Sequence, residues 1–499
     1  MRKVKVLLVI LVLNSLFILA GNTIDLKFPK MDNGFKVVKT IGLEDGGFLM
    51  LQSSWKTIRK AKIARFDSEF NLLFESQEVE ICKASGRSKW DGNGYVRPYY
   101  GEIDFFTVNK QVMLIYYANS ASPTVNCEVY ETEKLSLKRK FKLFDNHKNL
   151  GSFYAFQKNN KIGVIIQNLG KGNLTEKVTI FDFEFNISKQ ITNEVSHAQF
   201  VAYKNNLLFS TNGDMYKIYY TFDKKGETRK YFLRNISINK DYPIPSCDKM
   251  FRAEIRENSY SEEILITGFK IDHKNIIGLK DDEAGRFSYI GATEVYITHF
   301  KNEIFSPTKV VEVKENLSAK TIIKDIFFLN KDSYILLTIG SSSYSYVANN
   351  FHATRGEVSC FKFTKDELDY NEKLDIRQHI AESSTSLYKA QEIVGYKAFE
   401  KDGDLYFFYN RINDNSKRMG EGTTWTQSIS LYDQNVEFSL LKLSLSSGEK
   451  NLIPIIEGFS SKFDLVIPSN GIMWGNDQII FQRCGEGEAR SGGFVKVTY

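Results

Sequence analysis

One local pattern recurs along this chain and limits what it can fold into. An apolar or aromatic residue is followed by a tight polar turn rich in Asn, Asp and Gly, then by a buried-type β run. Eight copies align by their turns: GLEDGGFLML from Gly42, FTVNKQVMLIYY from Phe106, FQKNNKIGVII from Phe156 and VAYKNNLLFS from Val201, then FRAEIRENSYSEEILITGF from Phe251, FFLNKDSYILLTI from Phe327, FEKDGDLYFFY from Phe399 and MWGNDQIIF from Met473. Asp-Gly and Asn-rich dipeptides between β-formers signal hairpins because those residues tolerate positive φ. The stretch 37–79 shows the full unit: one hairpin turning at Glu44-Asp45-Gly46-Gly47, a second at 67–71, four antiparallel strands in all. Second hairpins follow in nearly every unit, for example CEVYETEKLSLKRKFKLF from Cys127 and SCFKFTKDELDYNEKLDI from Ser359. Turns recur roughly every 45 to 75 residues, natural for sheets of fixed length joined by variable loops. No segment sustains a helical period.

The last unit is the informative exception. It has its first hairpin and a third strand, FVKVTY, but no fourth, while residues 24–30 precede the first hairpin and belong to no other unit. A ring of four-stranded sheets removes its open edge when an N-terminal strand pairs with the C-terminal one. The expectation is an all-β chain forming a single β-propeller over residues 22–499. Eight blades are favoured, with seven as the alternative if the irregular fifth or seventh unit is not a blade.

This pattern resembles secreted β-propellers of bacterial cell envelopes over essentially the whole of that range. The resemblance is architectural. Blades lack the Trp-Asp ending of WD40 repeats, Gly-Gly occurs only at Gly46-Gly47 and Gly492-Gly493, unlike kelch repeats, and the sialidase Ser-x-Asp-x-Gly-x-x-Trp box has no good match. No family's functional residues carry over.

The N-terminus reads as a secretory signal peptide over residues 1–20. Arg2, Lys3 and Lys5 precede an apolar run from Val6 to Ala20, and small residues Ala20 and Gly21 follow. The run is short for a bilayer span, so cleavage is favoured over anchoring. No cysteine stands near the exit, so the expected location is secreted or periplasmic without a lipid anchor. The formal charge of +6 is small for 499 residues and owes three units to Arg2, Lys3 and Lys5. That gives no case for nucleic acid. Five cysteines in an exported chain of this size are not a disulfide framework.

Blade topology sorts the connections. Turns between first and second and between third and fourth strands lie on one face and are nearly all tight. The long segments 81–101, 235–249, 270–292, 341–357, 378–395 and 411–437 are almost all of the other kind, so one face is plain and the other elaborated. Those loops hold Arg87, Trp90, Tyr99 and Tyr100, then Tyr346, His352 and Arg355, then Arg418 and Trp425. Aromatics and Arg dominate protein interfaces, and aromatic faces stack on sugar rings. Structural packing under the loops is an equal reading for any one of them.

A second set lies on the innermost strands, whose polar members face a common channel: Glu102, Asp104, Tyr154, His197, Gln199, Arg252, Glu254, Asp325, Lys397 and Asp464. Paired carboxylates there can do acid–base work when their pKa values are split, though polar channels are ordinary in propellers. Asp91-Gly-Asn93 with Glu102 resembles a calcium loop only in part, since Val96 sits where the sharp turn needs Gly. The six histidines include no metal-spaced pair, and neither a nucleophile elbow nor a phosphate loop is present. No metal or cofactor is expected. The reading is a monomeric, exported, non-catalytic module binding a protein or glycan, with Trp90, Tyr99, Tyr100, Glu102, Arg252, Tyr346, His352, Arg355 and Trp425 as binding residues. The alternative is a glycoside hydrolase or lyase using Glu102, Asp104 or Glu254.

Overall fold

Middle strands such as Phe48–Ser54 and Ser333–Ile339 are buried along their whole length, whereas the outer strand Leu72–Glu75 is exposed throughout. A strand buried on both faces must lie between two other sheets, and repeated sheets satisfy that by stacking around an axis. The computed structural model describes residues 23–26, 35–54, 59–81, 103–118, 124–144, 150–158, 161–169, 173–196, 199–200, 207–222, 229–248, 250–270, 291–318, 321–340, 343–347, 350–355, 358–374, 376, 378–383, 395–412, 428–429, 436–456, 466–474, 478–484 and 491–499.

These residues form an eight-bladed β-propeller of antiparallel sheets. The innermost strands are, in order, Phe35–Gly42, Ile103–Val108, Leu150–Lys158, the broken pair Gln199–Phe200 and Leu207–Phe209, Met250–Glu257, Ile322–Phe328, Tyr396–Lys401 and Val466–Trp474. The fifth and seventh units are full blades. Strand Val79–Ile81 pairs with Arg59–Ala61 of blade 1 and, through Ile81, with Ala118 of blade 2, so those two sheets are continuous.

The eighth blade closes as the sequence suggests. Thr23–Leu26 pairs antiparallel with Ser491–Thr498, Thr23 opposite Val497 and Leu26 opposite Phe494. The core confirms the ring independently. Among the described residues, every blade shares a hydrophobic cluster with the next: Leu51 with Leu114, Val129 with Val164, Ile165 with Phe209, Tyr216 with Ile255, Ile297 with Leu336, Leu337 with Phe407, Phe438 with Phe481, and Phe494 with Phe48.

The tight turns use the predicted chemistry. Asn109-Lys110, Asn302-Glu303, Lys365-Asp366 and Asp402-Gly403 all place two consecutive residues at positive φ, the type I′ geometry that matches strand twist. One glycine is fixed by packing instead. A Cβ on Gly471 would stand 2.4 Å from Cε1 of Phe481, a ring wedged against Phe408 and Phe438. Gly471→Ala should therefore cost roughly 1–3 kcal/mol by overpacking. A urea midpoint equal to wild type would show that the ring can move aside.

Candidate functional site

The elaborated face carries a structure the sequence did not announce. Three segments expected as loops contribute strands to an additional sheet. Ser343–Val347 and Asn350–Arg355 form a hairpin within the blade 6 insertion. Gln378–Ser383, on the crossover to blade 7, pairs with Asn350–Arg355, and Ser428–Ile429 from the blade 7 insertion adds in parallel. The alternation Ser-Tyr-Ser-Tyr followed by Asn349-Asn350 is itself a hairpin signal. Its register sets Tyr346 opposite Phe351, His352 opposite Ala381 and Arg355 opposite Gln378. Insertions of two adjacent blades are thus tied together by backbone hydrogen bonds. Trp90, Tyr99, Tyr100, Glu102 and Trp425 lie outside the described residues, as do His197 and Asp464.

Three of the carboxylates expected along the channel lie on described inner strands: Asp104, Glu254 and Asp325. Asp104 accepts a hydrogen bond at 2.7 Å from Lys39, which also donates to the Phe105 carbonyl at 3.0 Å and lies 4.2 Å over the Phe106 ring. Glu254 is buried within blade 5, on the same inner strand as Arg252. Asp325 is half-buried on the blade 6 inner strand. Burial raises its carboxyl above the usual 3.8 even though Lys324, Arg256 and Lys397 oppose that shift. Burial likewise lowers the Lys397 ammonium, with Asp325 pulling it back. Among the described residues, Asp325 thus feels the charges of Arg256, Lys324 and Lys397, from blades 5, 6 and 7. Lys39, Arg256 and Lys324 were not among the sequence candidates.

The plain face uses its polar side chains on itself. Glu257 of blade 5 accepts from the Thr211 amide at 2.9 Å and hydroxyl at 2.7 Å in blade 4, and pairs with Lys158 of blade 3. Between blades 5 and 6, His299 Nε2 lies 2.8 Å from Asp366 Oδ1, and the Tyr334 hydroxyl donates to the same oxygen at 3.2 Å. Lys309 stands 3.7 Å from the other oxygen of Asp366, and Glu263 stands 3.9 Å from His299 Nδ1. Burial works to raise the Asp366 carboxyl, but His299, Lys309 and Tyr334 together hold it below its usual 3.8.

A depressed folded-state value means that this group's stabilisation is complete above pH 3.8 and is lost as pH falls through the lower folded value. Asp366→Asn should cost roughly 1–3 kcal/mol at neutral pH and flatten the acid limb of the stability profile. An acid limb identical to wild type would remove Asp366 from the account.

No family model and no curated protein matches this sequence. Among solved structures, the chain is similar to Sqt1 of Saccharomyces cerevisiae at 9% identity and a TM-score of 0.39, covering 96% of this chain and 99% of that one. It is similar to the β-propeller domain of the Trilobed protease from Pyrococcus furiosus at 12% identity and a TM-score of 0.34, covering 78% and 96%. It is also similar to an apocarotenoid oxygenase of Synechocystis at 8% identity and a TM-score of 0.34, covering 93% and 86%. Likeness at these values carries no activity across, and function has to be argued from this chain's own residues.

Three cysteines add no nucleophile. Cys127, Cys247 and Cys360 are buried free thiols. Burial pushes Cys247 and Cys360 up to about 12 and Cys127 higher still, so none is a thiolate at neutral pH.

Proposed function

We propose that this is an exported, non-catalytic binding or scaffold module, monomeric, that presents its elaborated face to a protein or glycan partner. The observation that carries this reading is the additional sheet, where separate insertions of blades 6 and 7 are paired into one platform. Ordering long insertions costs conformational entropy, and a shared sheet holds them in place before a partner arrives. Two further features support it. Plain-face residues such as Glu257 and Asp366 spend their polar groups on neighbouring blades, and Asp104 is already ion-paired instead of standing free as an acid or base.

A pull-down partner or a hit from a glycan panel supplies the test. Trp90→Ala or Trp425→Ala should weaken binding by about 2 kcal/mol or more if either is a hot spot. Lys110→Glu and Lys331→Glu, on exposed plain-face turns, should stay within a few tenths of a kcal/mol. Losses confined to the plain-face pair would reverse the assignment of faces. Turnover of a glycan, abolished by Glu102→Gln or Glu254→Gln, would replace the binding reading with an enzymatic one.

A further inference from the structure

The seam between the first and last blades joins two irregular inner strands. Both inner strands that flank it carry bulges. On Phe35–Gly42 the register slips between Val37 and Lys39, and on Val466–Trp474 it slips between Ile467 and Ile472. Each bulge adds backbone that the partner strand does not match, so the strands splay where they should meet. A cavity of about 190 Å³ opens there. That exceeds the roughly 150 Å³ known to take up a benzene ring in a protein interior.

Its lining has two characters. Val37, Ile472 and Phe494 make an apolar wall, and Phe494 is held by Phe48 and Phe70 with ring centroids 5.7 Å away in each case. Thr40 and Gln482 bring a hydroxyl and an amide to the same space, and neither forms a side-chain hydrogen bond within the described protein. Register explains their aim. Thr40 lies opposite Met50 and Gln482 opposite Phe494, and both of those partners belong to the cluster between blades 8 and 1. Among the described lining residues the one charge, the Lys39 ammonium, is already neutralised by Asp104 at 2.7 Å.

We propose that this seam cavity is a binding site for a single neutral pyranose ring. A sugar ring offers one face of C–H groups to an apolar wall and hydroxyls at its edge to neutral donors and acceptors. Unengaged amide and hydroxyl groups beside an apolar wall match both. A neutralised Lys39 gives an acid no advantage. The site lies in the blade seam, apart from the additional sheet, and does not depend on the reading of the elaborated face.

Calorimetry and saturation-transfer NMR on the full mature chain test it, with the methyl pyranosides of glucose, galactose, mannose and N-acetylglucosamine as probes and methyl glucuronoside as the charged control. At least one neutral pyranoside should bind with a Kd of about 1 mM, as expected for a ligand of this size. Val38→Trp plugs the cavity from an exposed position, and Gln482→Leu removes the amide at similar volume. Each should weaken binding about tenfold or more. Thermal midpoints monitor the fold, and Gln482→Leu alone decides the matter if the tryptophan variant fails to fold. Lys331→Glu, on an exposed plain-face turn, should leave pyranoside binding unchanged. Absence of binding by all four neutral probes, unaltered binding in Gln482→Leu, or tighter binding of the glucuronoside would overturn the proposal. Loss of binding in Lys331→Glu would overturn it too, by moving the ligand away from the seam.

Discussion

Lys217→Met should destabilise the propeller by roughly 3–5 kcal/mol, the usual cost of removing one partner from a buried ion pair. Lys217 Nζ donates to Glu176 Oε1 at 2.6 Å across the seam between blades 3 and 4, with side chains 3% and 0% exposed. Val178 and Met215 pack in the apolar cluster of the same seam. Burial lowers the Lys217 ammonium below its usual 10.5, and the attraction of Glu176 works against that. Methionine keeps most of the lysine stem but takes the Lys217 charge away from the buried Glu176 carboxylate. Arg234 lies opposite Lys217 in register, yet it is occupied with Asp241 at 3.2 Å and does not replace it. The double substitution Lys217→Met with Glu176→Leu should recover most of the loss, since apolar replacements of a whole buried pair are often neutral or stabilising. Urea midpoints for both singles and the double form a complete cycle. A single-mutant loss under about 1 kcal/mol would mean that water reaches the pair.

That ion pair also shows where sequence reading stops. Glu176 and Lys217 are 41 residues apart, in strands of different blades, and nothing in either local pattern pairs them. His299 and Asp366, 67 residues apart, meet for the same reason, because a strand of blade 5 and a turn of blade 6 face each other across one seam. Blade number and closure were legible because they are local. Asp402-Gly403 and Asn109-Lys110 announce positive φ in their own side chains, and the missing fourth strand of the last unit is visible without any contact.

The channel was only half legible. Alternation along an inner strand should say which side chains face the axis, but the blade 6 strand slips register between Ile323 and Asp325. A bulge breaks the two-residue period, so Asp325 was found and its neighbour Lys324 was missed. The additional sheet was missed for a different reason. Residues 343–355 carry a strand-like alternation, but the blade's second and third strands lie on either side of them, and nothing local says which other segment they pair with.

Deleting Thr23–Leu26 should lower the melting midpoint and make the protein prone to self-association. These four residues are the outer strand of blade 8, and each faces a residue of Ser491–Thr498. At roughly 0.2–1 kcal/mol for each cross-strand pair, the direct loss is about 1–4 kcal/mol. The strand left uncovered matters more than that sum suggests. Val495 and Val497 belong to the seam with blade 7, whereas Phe494 belongs to the seam with blade 1. Loosening that one strand therefore weakens the ring on both sides of its closure. It also presents a row of unpaired N–H and C=O groups, the template on which another chain can add. Light scattering during a thermal ramp should rise earlier in the deleted protein. A synthetic peptide of residues 22–27, added in excess, should restore part of the midpoint by binding the open edge. An unchanged midpoint in the deleted protein would show that the ring is held by its seams alone and that the N-terminal strand only decorates it.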